Sequence, residues 1–310
     1  MSSRQTISPQ TAHQVKVISQ ASLGFITRAA WSPDGGVLAV SHGEEVSLWL
    51  EGFSPAPNRR IKHPATVKSV AFAPDGAAFA TGCGDMLVRL WSAVETFVLV
   101  TLRGHYSAVE GVAFSSNGRL LASCSSDRTI RVVDMTDSIG SAVLSGHTSD
   151  VTGLAFNAAG DTLVSGGWDS TLRFWNVKDR SERAVLIFSD WLRDVVVSPS
   201  GEIIAAPCKD GSVHLVEFAT QRQIARLRAH PGGADCAAFS PDGAILATGG
   251  RDNAIRLWDW RSAPDQPLVV LQGHSKPVLT LSFHPVGTLL VSGGGDNLVN
   301  VWGVDGAGST

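Results

Sequence analysis

One phrase recurs seven times along this chain of 310 residues, and its spacing constrains the fold more than any other feature. The fullest copy, residues 239–258, reads FSPDGAILATGGRDNAIRLW. Each copy contains a turn glycine, and these are Gly35, Gly76, Gly118, Gly160, Gly201, Gly243 and Gly287. Successive glycines are 41, 42, 42, 41, 42 and 44 residues apart. A repeat this regular predicts an array of equivalent structural units.

Each repeat contains four short apolar or alternating runs separated by turn residues, which leaves no room for a sizeable helix. In the last copy, residues 278–283, 288–292 and 298–302 are the first three predicted strands. The fourth is usually the apolar run before the next Gly-His, such as residues 267–271. Many runs are apolar on both faces, which fits a sheet stacked between two neighbours. We therefore expect one four-stranded antiparallel sheet per repeat.

The last copy has no apolar run left for a fourth strand after Trp302. At the other end of the chain, residues 13–20 resemble a strand and precede the first complete turn. We expect this segment to complete the last sheet and close a ring, which removes exposed sheet edges. The predicted organisation is a flexible tail over residues 1–12, a single closed domain over 13–303 and a flexible tail over 304–310.

Charge and composition exclude several classes of protein. The net charge is −3 and the pI about 6.3, which argues against recruitment by nucleic acid or an anionic membrane. The four cysteines, Cys83, Cys124, Cys208 and Cys236, show no pairing pattern and suit a reducing compartment. The first residues lack a secretion signal, and no apolar run is long enough to span a bilayer. A soluble, cytoplasmic protein is expected.

Several motifs together give the chain a resemblance to a known family. They are Gly104-His105, Gly146-His147, Gly273-His274, the Ser-Pro-Asp-Gly turns at 32–35 and 240–243, and Trp258-Asp259. With these motifs the chain resembles the WD-repeat β-propeller family over roughly residues 13–303. The resemblance implies an all-β fold, a seven-bladed β-propeller with four-stranded antiparallel blades. The N-terminal strand would complete the last blade and close the ring.

In that family a His before the blade, a Ser or Thr, an Asp and a Trp form a hydrogen-bonded structural network. Four repeats carry all the matching positions: His63, Thr81, Asp85, Trp91; His147, Ser165, Asp169, Trp175; His230, Thr248, Asp252, Trp258; and His274, Ser292, Asp296, Trp302. A buried carboxylate needs donors, and an imidazole that bridges it to a hydroxyl supplies them. Because one catalytic centre would not occur in four copies and no Gly-x-Ser-x-Gly motif accompanies them, we favour a structural role over a hydrolase triad.

Three repeats depart from this pattern. The copy that begins near His105 has Val133 in place of the Trp, and the copy near Phe188 keeps only Asp210. The first copy has Ser22 in the His position and no clear Asp. We expect these three blades to be held mainly by apolar packing.

The sequence contains no P-loop, no dinucleotide-binding glycine motif, no His-Glu-x-x-His and no paired Cys or His ligands. Its glycines lie in the repeat turns. We therefore predict no catalytic residue, no cofactor and no metal, and the protein is not expected to be an enzyme.

The resemblance implies that certain positions of each repeat face outward on the top of the propeller, around a central channel. One of these positions lies five residues after the His position. In the seven repeats its residues are Thr27, Lys68, Glu110, Thr152, Arg193, Asp235 and Leu279. Exposed Trp and Arg side chains are typical of interaction hot spots. Cationic side chains favour the binding of carboxylates from a partner. The predicted partner-binding residues are Tyr106, Trp168, Trp191, Arg193, Lys209 and Arg251.

Two functions remain open. The first is a non-catalytic protein–protein interaction scaffold that binds peptide segments or domains of partner proteins on its top face around the channel. The alternative is an enzyme or small-ligand binder that uses the channel mouth, where charges of both signs meet. Expected partners are other proteins, including acidic peptide segments. The charge balance argues against nucleic acid, no membrane association is expected, and the chain would be a monomer or a subunit of a hetero-complex.

Overall fold

The computed structural model describes residues 4–50, 52–136, 141–262 and 264–304. In these ranges twenty-eight strands form seven four-stranded antiparallel sheets, which we call blades 1 to 7. The first named elements of the described residues are a short 3-10 helix (Ala12–Gln14) and strand β1 (Lys16–Ser22). The architecture is a seven-bladed β-propeller, which confirms the predicted fold.

The blades follow one another in chain order, and each runs from an inner to an outer strand. Blade 1 contains β2 (Ile26–Trp31), β3 (Val37–His42), β4 (Glu45–Leu50) and β5 (Arg59–Lys62). Blade 2 contains β6 (Val67–Phe72), β7 (Ala78–Cys83), β8 (Val88–Ser92) and β9 (Val98–Leu102). Blade 3 contains β10 (Val109–Phe114), β11 (Leu120–Ser125), β12 (Thr129–Asp134) and β13 (Ser141–Ser145). Blade 4 contains β14 (Val151–Phe156), β15 (Thr162–Gly167), β16 (Thr171–Asn176) and β17 (Ser181–Ile187).

The remaining three blades complete the ring. Blade 5 contains β18 (Val196–Val197), β19 (Ile203–Pro207), β20 (Ser212–Glu217) and β21 (Arg222–Arg228). Blade 6 contains β22 (Ala234–Phe239), β23 (Leu246–Gly250), β24 (Ile255–Trp258) and β25 (Val269–Leu271). Blade 7 contains β26 (Val278–Phe283), β27 (Leu289–Gly294) and β28 (Leu298–Gly303), with β1 as its outer strand.

Strand β1 pairs antiparallel with β28, with Ala21 opposite Val299 and Ser22 opposite Leu298. This pairing confirms that the N-terminal strand completes the last blade. Part of the segment predicted as an N-terminal tail also lies against this blade. Ile7 is fully buried, and its amide donates to the carbonyl oxygen of Gly287 at 2.9 Å. Residues 1–3 and 305–310 of the two predicted tails lie outside the described residues.

The core consists of apolar layers between neighbouring blades, as expected for sheets that are apolar on both faces. One layer joins Ile26 and Leu38 of blade 1 to Val291 and Val299 of blade 7. The repeat turns share one backbone conformation, because the seven turn glycines all have φ between 68° and 77°. Only glycine adopts this left-handed conformation without a steric cost, which explains why the glycine recurs. No helix in the described part of the chain is long and apolar enough to cross a membrane.

Candidate functional site

The top face of the propeller surrounds the mouth of the central channel, where the inner strands begin. A cavity of about 320 Å³ occupies this mouth. All seven side chains of the sequence position five residues after the His line it, one from each blade: Thr27, Lys68, Glu110, Thr152, Arg193, Asp235 and Leu279. The ring of outward positions inferred from the resemblance is therefore a ring in space.

The charged members of this ring form ion pairs with their neighbours. Lys68 Nζ lies 3.7 Å from Glu110 Oε2, and Arg193 Nη1 lies 3.1 Å from Asp235 Oδ1. Arg251 Nε is 3.3 Å from the other oxygen of Asp235. Two guanidinium groups therefore share one carboxylate between blades 5 and 6.

This shared carboxylate is almost completely buried, with only 7% of its side chain exposed. Burial raises the pKa of Asp235, against the opposing effect of Arg193 and Arg251. Burial also lowers the pKa of Arg193, although Asp235 opposes that change. Asp235 Oδ2 and Arg193 Nε make no hydrogen bond within the described residues. Both atoms are buried and not exposed to the mouth, and Asp235 Oδ2 is held by its ion pair with Arg251.

Two tryptophans stack at the edge of the mouth. The rings of Trp168 and Trp191 have centroids 5.1 Å apart and planes 17° apart, and each residue remains 38% exposed. Lys209 Nζ lies 3.9 Å from the centroid of the Trp191 ring, a cation–π contact. Backbone bonds fix this arrangement, because the amide of Lys209 donates to the Trp191 carbonyl and the amide of Trp168 to the Asp150 carbonyl.

Five of the six predicted partner-binding residues belong to this region of blades 4 to 6. Trp168, Arg193 and Arg251 line the mouth, and Trp191 and Lys209 lie beside Trp168. We call this group the Trp–Arg cluster. Tyr106 lies apart in the loop leading into blade 3. Its side chain is exposed, and its amide donates to Asp127 Oδ2.

An ion pair crosses the channel below the mouth. Arg28 Nη1 of blade 1 lies 2.8 Å from Asp194 Oδ2 in the segment leading into β18 of blade 5. The Asp194 carboxylate raises the pKa of Arg28, and partial desolvation in the channel opposes this change. A Cβ on Gly153 would lie 2.5 Å from the Val195 amide nitrogen, so only glycine allows this segment to approach blade 4. Sequence analysis missed the pair, although charged residues beside apolar inner strands were a usable signal.

The predicted structural networks are complete in blades 4, 6 and 7. In blade 4, Trp175 Nε1 donates to Ser165 Oγ at 2.8 Å, and Ser165 Oγ lies 2.7 Å from His147 Nε2. His147 Nδ1 lies 2.8 Å from Asp169 Oδ2. Because the Asp169 carboxylate can only accept, the imidazole carries a proton on Nδ1, and Nε2 can then accept from the Ser165 hydroxyl. Ser165 is fully buried, so this arrangement offers no accessible nucleophile.

Blade 2 departs from the predicted network. His63 Nε2 is 3.1 Å from Thr81 Oγ1, and Trp91 Nε1 donates to the same oxygen. His63 Nδ1, however, faces the carbonyl oxygen of Ile61 and not Asp85. Asp85 binds Arg89 instead, through a bidentate pair with bonds of 2.6 and 3.2 Å. Blade 6 has the same pair, Arg256 with Asp252, and keeps its His–Asp bond, so the pattern of His, Thr, Asp and Trp could not reveal which partner the carboxylate binds.

The three divergent blades contain buried polar bonds beside their apolar layers, which the prediction of mainly apolar packing did not include. In blade 3, His105 bonds Ser123 at 2.8 Å and Asp127 at 2.9 Å, so only the Trp is missing. Burial raises the pKa of Asp127, but hydrogen bonds from Thr129, the Tyr106 amide and His105 outweigh it and lower the value to about 2.

Blades 1 and 5 use histidines from other strand positions. In blade 1, a two-residue turn joins β3 and β4, and His42 Nε2 lies 2.8 Å from Ser47 Oγ. In blade 5, Ser212 Oγ donates to Asp210 and lies 3.0 Å from His214 Nε2. The His214 ring contacts Phe188, the residue in the usual His position. No sequence signal marked these substitutes, because they lie outside the repeat positions.

One group of side chains could hold a metal ion. The ligand atoms of Cys208, Asp210 and His214 lie within 4.8 Å of one another. Each already has a protein partner, since Asp210 also binds Arg226 and His214 Nδ1 lies 3.0 Å from Gln223 Oε1. Burial raises the pKa of the Cys208 thiol to about 11, which disfavours the thiolate that a metal needs. We therefore interpret the group as a structural polar network of blade 5, in which Asp210 is exposed.

Comparisons with known proteins agree with this architecture. A family profile described as the IFT122 first beta-propeller matches residues 95–307, more than two thirds of the chain. A second profile, described as WD domain, G-beta repeat, matches residues 57–92. Protein groucho of Drosophila melanogaster is 34% identical over 67 residues, which cover 22% of this chain and 9% of that relative. The chain thus aligns with only a small part of that relative.

Proposed function

The chain belongs to the WD-repeat β-propeller family, and from this we propose that it is a non-catalytic scaffold that binds a segment of a partner protein on its top face. Propellers of this family generally act as protein-interaction scaffolds. The observation that carries the finer proposal is the Trp–Arg cluster. It combines a half-exposed tryptophan stack with cations at the rim of a cavity, as interaction hot spots do.

The tryptophan stack is rigid before any partner binds. Each ring is held by the other, and Lys209 covers part of Trp191. A partner side chain that packs on the remaining exposed surface would therefore order few new groups. Binding to a preorganised surface loses less conformational entropy, which favours affinity.

The charges around the stack favour an acidic partner segment. Arg193, Lys209 and Arg251 supply three cations, whereas Asp190 and Asp235 supply two carboxylates. The Lys209 to Asp190 distance is 4.0 Å, at the limit of an ion pair, and 45% of the Arg251 side chain is exposed. A carboxylate from the partner could bind Arg251 without breaking a strong internal bond.

The test replaces Trp168 and Trp191 by Ala and Arg251 by Glu in one variant. Proteins that co-purify with the tagged wild type, identified by mass spectrometry, should be lost from this variant while its melting curve stays the same. The matched control carries Arg119→Glu and Val286→Ala, two exposed residues in turns at the opposite ends of inner strands. The control should keep the partners. Full retention of partners by the triple variant would reject the site.

A second candidate function uses the cavity itself. A small polar ligand is favoured by the charges of both signs that line the cavity, on Lys68, Glu110, Arg193 and Asp235. A thermal-shift screen of metabolites tests this alternative. A ligand that raises the melting temperature of the wild type but not of an Asp235→Asn variant would support it, and no hit in the screen would leave the scaffold as the better explanation.

A reducing, cytoplasmic location is also part of the proposal. Cys83, Cys124, Cys208 and Cys236 are free and buried, which is usual where thiols stay reduced. Protein isolated without reductant and labelled in denaturant should show four reactive thiols. A lower number would point to an oxidising compartment.

A further inference from the structure

Neighbouring blades meet in crevices beside the repeat turns, away from the channel mouth. Between blades 6 and 7, the segment that precedes β1 fills this crevice. Ile7 is fully buried there, in one apolar cluster with Leu257 and Val304. Its amide donates to the carbonyl oxygen of Gly287 at 2.9 Å, and Gln5 forms an antiparallel bridge with Val304. This crevice therefore binds an extended segment through one aliphatic side chain and its backbone.

The equivalent crevice between blades 3 and 4 contains a cavity of about 570 Å³. The strands around it pair in the same way, since Val132 lies opposite Ala142 and Leu257 lies opposite Val269. The apolar residues that line it occupy the same repeat positions as those around Ile7. Leu120, Val132, Ala142 and Val177 correspond to Ile245, Leu257, Val269 and Val304, and Gly160 corresponds to Gly287. The two crevices are copies of one another, but within the described residues a further segment of the chain fills only the one between blades 6 and 7.

The burial of the lining residues differs accordingly. Ile245 and Leu257 are fully buried and Val304 is 1% exposed, whereas Leu120 and Val177 remain partly exposed. Protein interiors are close-packed, so apolar walls gain dispersion contacts when a side chain enters between them. The crevice between blades 3 and 4 is thus an apolar site that an aliphatic side chain would fill.

Small side chains leave this space open. Between blades 4 and 5, the repeat positions of Val132 and Val177 carry Phe174 and Phe218, whose ring centroids lie 5.6 Å apart. Those two rings fill the space between their blades from within. Two valines at the same positions leave room for a side chain from another molecule.

We propose that the crevice between blades 3 and 4 is a docking site for an extended segment of a partner protein. The segment inserts a branched aliphatic side chain, as Ile7 does between blades 6 and 7, and its amide donates to the carbonyl oxygen of Gly160. In this pose, the residue two positions earlier lies at Val177, where the turn that carries Lys178 and Arg180 begins.

The charges at the rim of the crevice favour an acidic segment. Arg119 Nη2 lies 2.8 Å from Asp134 Oδ2, so these two charges are paired. Lys178 and Arg180 also line the cavity and are exposed, and neither has an ion-pair partner within the described residues. The remaining carboxylate, Asp161, accepts hydrogen bonds from neighbouring side chains. A carboxylate on the partner segment would therefore meet two available cations.

The same charges disfavour the N-terminal segment of a second copy as the occupant. Residues 1–12 contain no acidic residue, and Arg4 would add a cation near Lys178 and Arg180. In each copy, moreover, Ile7 is already buried in the crevice between blades 6 and 7. The occupant is therefore a different protein, with an aliphatic residue and an acidic residue in one of the three positions before it.

This site is separate from the Trp–Arg cluster and does not depend on the proposed function. It lies beside Gly160, at the end of the inner strands away from the mouth. One aliphatic side chain with a few backbone bonds forms a small contact, so we expect a dissociation constant of about 10 to about 500 µM. Contacts this weak dissociate during affinity purification. Proteins that co-purify therefore report on the top face, and a direct titration reports on the crevice.

Fluorescence polarisation of labelled peptides, titrated with the full chain, measures this binding. The probe is the segment of residues 4–12 with Arg4→Glu, which carries an acidic residue three positions before Ile7. It should bind saturably, and the same peptide with Ile7→Ala should bind at least about tenfold more weakly. The unmodified peptide should also bind more weakly, because it brings Arg4 to a cationic rim. An unmodified peptide that binds at least as tightly as the probe would make a second copy the occupant and overturn the acidic partner.

Variants of the protein locate the binding site. Val177→Phe fills the crevice with the side chain that Phe218 provides in blade 5, and it should weaken binding of the probe at least about tenfold. Lys178→Glu should weaken binding at least about fivefold, whereas the matched control Arg222→Glu, an exposed cation on β21, should bind like the wild type. Melting curves of all three should match the wild type, and if that of Val177→Phe does not, Lys178→Glu decides. The proposal is wrong if the probe does not bind, or if these two variants bind it as well as the wild type does.

Discussion

At the scale of single residues, buried histidines form hydrogen bonds with strand residues and carry no charge. Burial, together with the nearby Arg89 guanidinium, lowers the pKa of His63 to about 4 against the opposing effect of the Ile61 carbonyl and Asp85. Burial likewise lowers the pKa values of His105 and His230, although a carboxylate partner opposes it in each case. These imidazoles are neutral hydrogen-bonding groups in the folded protein near pH 7, which agrees with a structural role.

This neutrality predicts how the stability of blade 2 depends on pH. The unfolded chain binds a proton on His63 as the pH falls below about 6.5, whereas the folded chain does so only near pH 4. The stabilising contribution of a neutral His63 is therefore present above pH 6.5 and is lost between pH 6.5 and 4.

We expect His63→Gln to cost about 1 to 2 kcal/mol at pH 7.5, because Thr81 loses one of its two buried partners and keeps only Trp91. The difference between wild type and variant should shrink, or change sign, as the pH falls from 6.5 to 4. Urea unfolding at several pH values measures this, with His13→Gln, an exposed histidine, as the control. Parallel pH profiles for wild type and His63→Gln would show that His63 does not titrate in this way.

At the scale of strands and blades, the N-terminal strand connects the two ends of the chain. Removing residues 1–22 would expose the edge of β28 and the apolar side chains that pack on it, such as Leu290 and Trp302. It would also remove Ile7, which is fully buried. Since an exposed edge and an open ring both favour unfolding and aggregation, we expect the melting temperature to fall by more than about 10 °C.

Scanning calorimetry of the truncated chain measures this effect. A chain that lacks only residues 1–3 is the control and should melt like the wild type. The variant Ile7→Ala separates the contribution of Ile7 from that of β1, because it keeps the strand. It should lower the free energy of unfolding by about 2 to 4 kcal/mol. An unchanged melting temperature after removal of residues 1–22 would refute ring closure by β1.

Much of this fold could be predicted because the repeat encodes it locally. The turn glycines, for example Gly243 with φ of 68°, need a backbone conformation that few other residues adopt, so their spacing marks the blades. Strand ends were less accurate. Strand β25 begins at Val269, two residues later than predicted, because no single residue signals where an outer strand joins its neighbour.

The chemistry of the site was only partly predictable. The ring of seven side chains at the mouth was implied by the resemblance to the WD-repeat family, but the ion pairs among Arg193, Asp235 and Arg251 depend on side-chain directions between blades. The same holds for His42 and His214, which replace the missing network residues from other positions. Contacts between different repeats leave no periodic trace in the sequence.

At the scale of the whole molecule, the Arg28–Asp194 pair joins opposite sides of the ring. The Asp194 side chain is only 4% exposed, and Asp194 Oδ1 also accepts a bond from the Val195 amide. Breaking one partner of a buried pair leaves an uncompensated charge, which typically costs about 3 to 5 kcal/mol. Since 34% of the Arg28 side chain remains exposed in the channel, water would reduce this cost.

We therefore expect Asp194→Ala to destabilise the protein by about 2 to 3 kcal/mol, and Arg28→Met with Asp194→Leu to recover part of that loss. Because the pair connects blade 1 to blade 5, its loss should increase hydrogen exchange in both β2 and β18, which are not neighbours in the ring. Exchange followed by mass spectrometry measures this, with Lys68→Ala, which breaks a more exposed pair between adjacent blades 2 and 3, as the control. Faster exchange in blade 5 alone would show that Asp194 acts locally, and that the channel pair does not hold the two sides of the propeller together.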